Sequence, residues 1–243
     1  MTSATKLRYI LNVTYTKNWG AVMSYKTKEF YQDILVTEKI YLATKKGKII
    51  KQDILGKNVI AIWTRKDVAE QYLSKLNVEY DELKTLDIDK FVTYEMDEIF
   101  KAHEEVIINP TSNNDGELVE IEACTDELMS DLDNIRIKEF NNTIAKSDSV
   151  YGLSSQNKQQ FILISDDEHE KPNIMPVWSV KKQAEKVRDE DFEECDIIEV
   201  EGEVFADWLD VLRDDDKAVA IDLKPGVIGT VTSAQVLSNK LTI

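Results

Sequence analysis

A strand that runs into a tryptophan, takes a short polar step and continues as a helix is written twice in this chain. The first copy is Ile60–Leu73, IAIWTRKDVAEQYL, and the second is Ile174–Val187, IMPVWSVKKQAEKV. Trp63 precedes Ala69 by six residues, and Trp178 precedes Ala184 by the same six. Other matches surround the pair: Lys28-Glu29-Phe30 returns as Lys138-Glu139-Phe140, and Glu38-Lys39-Ile40-Tyr41 returns as Asp148-Ser149-Val150-Tyr151, both 110 residues later. Phe91 and Phe205 are counterparts at an offset of 114, the small drift being the loop variation that surface connections tolerate. The chain therefore reads as one domain used twice, and its 243 residues are long enough for two ordinary domains.

Residues 1–26 stand outside the repeat, residues 27–128 form the first copy, 129–137 join the copies, and 138–243 form the second. In the N-terminal segment Leu7, Tyr9, Leu11, Val13 and Tyr15 alternate with polar residues, which predicts a half-buried strand that either extends the first sheet or pairs with another molecule. The first copy predicts a short helix at Phe30, Ile34 and Leu35, strands at Glu38–Ala43, Val59–Trp63, Leu83–Leu86 and Val106–Ile108, and a helix after Asp87 with Ile88, Phe91, Val92, Met96 and Ile99 inward. Thr64 stands where a side-chain oxygen caps the helix that follows. In the second copy Val204, Phe205, Trp208, Leu209 and Leu212 share one helix face. Strands interspersed with helices without strict alternation predict an α+β fold: two tandem similar domains, each a mixed β-sheet with helices packed against it. Pro176 has no N–H, so its strand is expected at a sheet edge or at a bulge. The joining segment lacks Gly and Pro.

Charge narrows the partners. The net charge is −16, yet residues 1–26 carry Lys6, Arg8, Lys17 and Lys26 and no acid, so the rest carries −20. Such a field repels nucleic acid and anionic membranes and attracts basic proteins. No apolar run reaches the roughly 18 residues a bilayer span needs, no signal peptide is evident, and two unmatched cysteines fit a reducing cytoplasm.

Groups for chemistry are few. His103 stands before Glu104-Glu105 at an expected helix end, and His169 sits in the acidic loop Asp166–Glu170, read as solvated although hard cations favour such oxygens. Cys124, with a counterpart near Ser233, reads as buried or capping, and the acids before Cys195 raise its pKa and quench it. No zinc spacing and no phosphate-cradling glycine loop occurs, so no catalytic, cofactor or metal residue is assigned. Trp63, Trp178 and Trp208 read as core, while Trp19, which has no counterpart, reads as a partner anchor.

The order of Lys-Glu-Phe helix, Val-Tyr strand, Met175-Pro176-Val177-Trp178 strand and a helix carrying Ala184, with Phe205-Ala206-Asp207-Trp208-Leu209 and Val219-Ala220-Ile221 after it, resembles the bacterial domain-of-unknown-function family DUF2750. The first copy looks like a diverged member, with Ala61 where the pattern favours Pro. A weaker likeness, to the N-terminal domain of SseB-like proteins, rests on the Trp unit and on Val106-Ile107-Ile108-Asn109-Pro110. The resemblance implies the α+β fold and brings no catalytic residues. The expected function is that of a non-enzymatic cytoplasmic binding protein of a bacterium or phage, an inhibitor or immunity-type protein that occludes a basic partner such as a toxin or nucleic-acid-acting enzyme. Asp189, Glu190, Asp191, Glu193 and Glu194 are its acidic contact candidates. A hydrolase or transferase using scattered carboxylates, and a housekeeping structural module, are the alternatives.

Overall fold

The computed structural model describes residues 25–101, 103–155, 161–165, 173–227 and 229–241. The strand expected at Leu7–Tyr15, Trp19, and the loop Asp166–Glu170 with His169 lie outside the described residues. The chain divides into two compact units after Asp131.

The N-terminal unit runs α1 (Tyr25–Thr37), β1 (Lys39–Lys45), β2 (Lys48–Ile49), β3 (Lys51–Ile54), β4 (Lys57–Ile62), α2 (Lys66–Lys75), β5 (Glu82–Asp87), α3 (Ile88–Lys90), a π-helical turn (Phe91–Glu95), α4 (Met96–Ile99), β6 (Glu105–Ile108) and β7 (Glu117–Glu120). Strand β1 pairs with β5, and β4 lies parallel to β6, which pairs with β7. The two ladders are joined where Tyr41 and Trp63 exchange backbone bonds of 2.7 and 3.1 Å, giving the order β5-β1-β4-β6-β7. The run Val59–Ile62 is buried on both faces, as a strand covered on both sides must be. One face packs on Ala69, Tyr72 and Leu73 of α2. The other packs Ile40 and Ile62 with Phe30, Ile34, Phe91 and Leu128.

Helix α5 (Ile121–Ser147) contains the whole joining segment 129–137, so the step between copies is helical. The C-terminal unit continues with β8 (Ser149–Ser155), β9 (Ile174–Trp178), α6 (Lys181–Asp191), β10 (Cys195–Glu201), α7 (Gly202–Asp214), β11 (Ala218–Ile221), β12 (Thr230–Ser233) and α8 (Ala234–Lys240). Its sheet order is β10-β8-β9-β11-β12, with β9 and β11 parallel and the other pairs antiparallel. Position by position this is the order of the first sheet. Met175 and Val177 face Phe140, Phe205, Leu209 and Leu237, while Ile174 and Trp178 face Ala184 and Val187 of α6. The alternation is the period-two signature of a strand buried on both sides.

The likeness extends to unusual backbone. Glu38 and Asp148 have φ of 51° and 52°, Asn109 and Asp222 of 43° and 46°, and His103 and Asp216 of 59° and 53°. Left-handed conformations cost a non-glycine residue about 1 kcal/mol or more, so each of these residues marks a turn that its own unit requires. Trp63 and Trp178 are fully buried. Each indole N–H donates to a backbone carbonyl, of Pro110 at 3.0 Å and of Leu223 at 3.1 Å, as a buried indole requires.

Several expectations are corrected. Strand β9 is central, so Pro176 is not at an edge; instead the β8 ladder stops beside it. Only Tyr151 and Gly152 pair with β9, and the Leu153 carbonyl, which Pro176 could not serve, accepts from Ile162 N–H at 2.8 Å. Residues 161–164 make two isolated bridges, Phe161 with Ser154 and Ile164 with Ile174. Thr64 does not cap α2: the N-cap is Arg65, without a side-chain bond, and the Thr64 hydroxyl is used elsewhere. The helix after Asp87 is broken by the π-turn, which leaves Val92, Met96 and Ile99 half-buried and only Ile88 and Phe91 in the core. Trp208 is half-buried against Phe161, and Val204 is exposed.

Candidate functional site

Asp189, Glu190 and Asp191 close α6, and Glu193 and Glu194 follow in the turn to β10; all five are exposed. Arg188 donates to Asp189 at 2.8 Å. Asp191 has a structural task, because its Oδ2 accepts the Gly226 N–H at 2.7 Å and anchors the Lys224–Val227 turn. Glu190, Glu193 and Glu194 form no ion pair with a described residue.

These five begin a longer acidic stretch of the chain, which wraps from one face of the sheet past its outer strand to the other face. Residues 189–216 contain fourteen Asp and Glu and a single base, Arg213. The stretch passes from the end of α6 through β10, an outer strand of its sheet, into α7. Asp196, Glu199 and Glu201 are the exposed positions of β10. Glu203, Asp207, Asp210 and Asp214 recur at i, i+4, i+7 and i+11 along α7 and are exposed. Arg213 reaches Asp210 at 2.7 Å and Asp214 at 3.1 Å, and Lys217 reaches Asp215 at 2.6 Å. Acids crowd the C-terminal ends of both α6 and α7, where the helix dipole disfavours negative charge by about 0.3–1 kcal/mol each. Helix stability does not explain that placement. Counting charges in windows finds this acidic stretch in the sequence.

A second polar constellation lies after the parallel strands of each unit. In the N-terminal unit the Thr64 N–H donates to Asn109 Oδ1 (3.0 Å), and the Thr64 hydroxyl donates to Asp33 Oδ2 (2.7 Å) while accepting from Asn109 Nδ2 (3.1 Å). Glu29, Asp33, Arg65, Val68, Asn109 and Thr111 line a depression of about 90 Å³ there. In the C-terminal unit the Ser179 N–H and hydroxyl donate to Asp222 at 2.7 and 3.0 Å. Burial pushes the Asp222 pKa up, the Ser179 bonds oppose this, and Glu139 adds to the rise. A carboxylate with both oxygens engaged by its neighbour is built to hold the loop rather than to abstract a proton.

Among the described residues, two trios of donor atoms lie within 4.8 Å of one another, His103 with Glu120 and Glu122, and Glu38 with Asp87 and Asp89. His103 Nδ1 contacts Glu120, with Glu122 at 3.7 Å, so the histidine answers carboxylates across the turn rather than a helix end. Asp87 Oδ1 accepts the Asp89 N–H at 3.0 Å and caps α3. The oxygen-rich trio suits a hard cation and the imidazole one a borderline metal.

Cys124 is buried in the first turn of α5, and burial pushes its thiol up to about 11. The paired registers of β7 and β12 make its counterpart Leu237, not Ser233; Ser233 caps α8 by accepting from Val236 N–H at 3.2 Å. Burial, then Asp196 and Glu194, raise the Cys195 thiol. Among the described residues no helix is long and apolar enough to cross a membrane.

No curated protein matches the chain. Among solved structures, Anabaena Tic22, titled for protein transport, aligns over 82% of this chain and 92% of that chain at 12% identity, with a TM-score of 0.22 that carries no argument about fold or function. A family model does match one unit: residues 137–241, from the second half of α5 through α8 and including the whole acidic stretch, match the family described as protein of unknown function (DUF2750).

Proposed function

We propose that the protein is a non-enzymatic, cytoplasmic acidic binding protein, an inhibitor or immunity-type protein that occludes a basic protein partner such as a toxin or a nucleic-acid-acting enzyme. The acidic stretch of residues 189–216 carries this reading, with fourteen exposed or half-exposed acids against one arginine on a single unit. A dense stretch of one charge sign steers an oppositely charged partner and raises its association rate. The engagement of Asp222 by Ser179 lends less support to a hydrolase built on scattered carboxylates. The matched strand order and left-handed positions support a further reading, that the N-terminal unit is a diverged copy of the same domain.

The test is affinity capture from the native host at about 50 mM and about 300 mM salt, where screening shortens from roughly 14 to 6 Å. It is run with the wild-type chain and with a Glu190→Lys, Glu193→Lys, Glu194→Lys variant. The expected result is a basic protein held by the wild type at low salt, released at high salt and not held by the variant. Retention that ignores both salt and charge reversal overturns the proposal.

A further inference from the structure

We propose that α7 carries a docking stripe for a cationic amphipathic helix of a protein partner; the inference rests on the acidic-binder reading and assigns it a surface. Helix α7 has three faces. Phe205, Leu209 and Leu212 enter the core. Glu203, Asp207, Asp210 and Asp214 form the acidic row on the opposite side. Between them run Val204, Trp208 and Val211, at i, i+4 and i+7, with Val204 40% and Val211 62% exposed. Trp208 is held in place by Phe161, whose ring meets it edge-on at 4.5 Å.

The shared fold does not demand this stripe. The matching segment of the N-terminal unit is the π-broken run Ile88–Ile99, where Lys90, Tyr94, Asp97 and Glu98 are the exposed residues and a lysine and an aspartate stand in place of the two valines. Valine is also a weaker helix former than leucine or alanine, so two solvent-facing valines on a helix serve neither its propensity nor its solvation. Seven residues of helix span about 10 Å, a length suited to helix-on-helix packing. Charge selects the occupant. A helix whose apolar stripe is flanked by Lys or Arg satisfies the valines and the adjoining acids together, the helix-in-groove mode of recognition. An anionic membrane surface would meet the acidic row and be repelled.

The experiment titrates full-length protein into a fluorescent leucine–lysine peptide long enough to form a helix, with leucines at three-and-four spacing, and into a scrambled peptide of the same composition. The patterned peptide is expected to bind about tenfold more tightly than the scramble. A Val204→Ser, Val211→Ser variant is expected to lose that preference, while Val36→Ser, at an 84% exposed valine of α1, keeps it. Asp207→Lys is expected to weaken both peptides. Circular dichroism verifies that each variant is folded. Salt-sensitive binding of both peptides that the α7 valine variant leaves unchanged overturns the docking stripe and leaves the acidic-binder reading standing. No binding of either peptide at low salt overturns both.

Discussion

Asp222 and Asn109 do one job in two sheets: each sits in a left-handed turn and accepts the backbone N–H of the residue after the core tryptophan. Asn109 does so without charge, whereas Asp222 is partly buried with a raised pKa. A raised carboxyl pKa means that the charged form is the costly one in the fold. The cost is absent below the unfolded pKa of about 3.9, grows as pH rises toward the folded value and is full above it. Asp222→Asn is therefore expected to be more stable than wild type at neutral pH, with the difference vanishing toward about pH 4. Chemical unfolding at several pH values checks this, and a variant less stable at neutral pH contradicts it. The cysteines give a second check. Cys124 is buried with its thiol pushed to about 11, so native protein near pH 8 is expected to alkylate at Cys195 alone and slowly, Cys124 reacting only after denaturation. Mass spectrometry reads this, and rapid native labelling of Cys124 would contradict its burial.

Strand β9 shows how an element departs from the simplest sequence rule. Proline predicts an edge, yet β9 is central because its missing N–H falls where β8 has turned to another partner. That arrangement depends on Gly152. A Cβ there would lie 1.6 Å from the Phe161 ring, which packs in turn on Trp208. Gly152→Ala is expected to displace Phe161 and cost about 1–3 kcal/mol, the usual range for overpacking. Denaturant titration measures it, and a cost near zero would show that the ring moves freely. The N-terminal unit reaches the same interruption without proline: the Ala43 carbonyl accepts from Ile50 N–H at 3.0 Å, and Ala61 stands in β4. The ladder break thus belongs to the architecture, and Pro176 suits it rather than causes it.

Charge acts on the molecule as a whole. With −16 overall and a sequence pI near 4.6, self-repulsion destabilises the folded chain at neutral pH. Screening relieves it, so raising salt from about 50 to about 300 mM is expected to raise the melting temperature by about 2–4 °C, equivalent to about 1 kcal/mol. A fall in melting temperature would show that attractive ion pairs outweigh the repulsion. The division into two units carries the same logic of assembly twice, since each sheet is covered by a single helix on the tryptophan face and by several helical segments on the other.

The twice-written tryptophan–alanine motif, the buried tryptophans, the α+β class and the acidic character all follow from local patterns in the chain. Tryptophan followed six residues later by alanine specifies a strand end and a close-packed helix without knowledge of any neighbour. Strand order is a different matter, because it depends on which distant segments exchange hydrogen bonds, and nothing local to Pro176 says that β8 and β11 flank it. The same holds for Thr64, whose hydroxyl is engaged by Asp33, 31 residues away, and by Asn109, 45 residues away, rather than by the helix that follows. It holds too for α7, where Val204 and Phe205 are equally apolar neighbours and packing alone sends one into the core and leaves the other facing solvent.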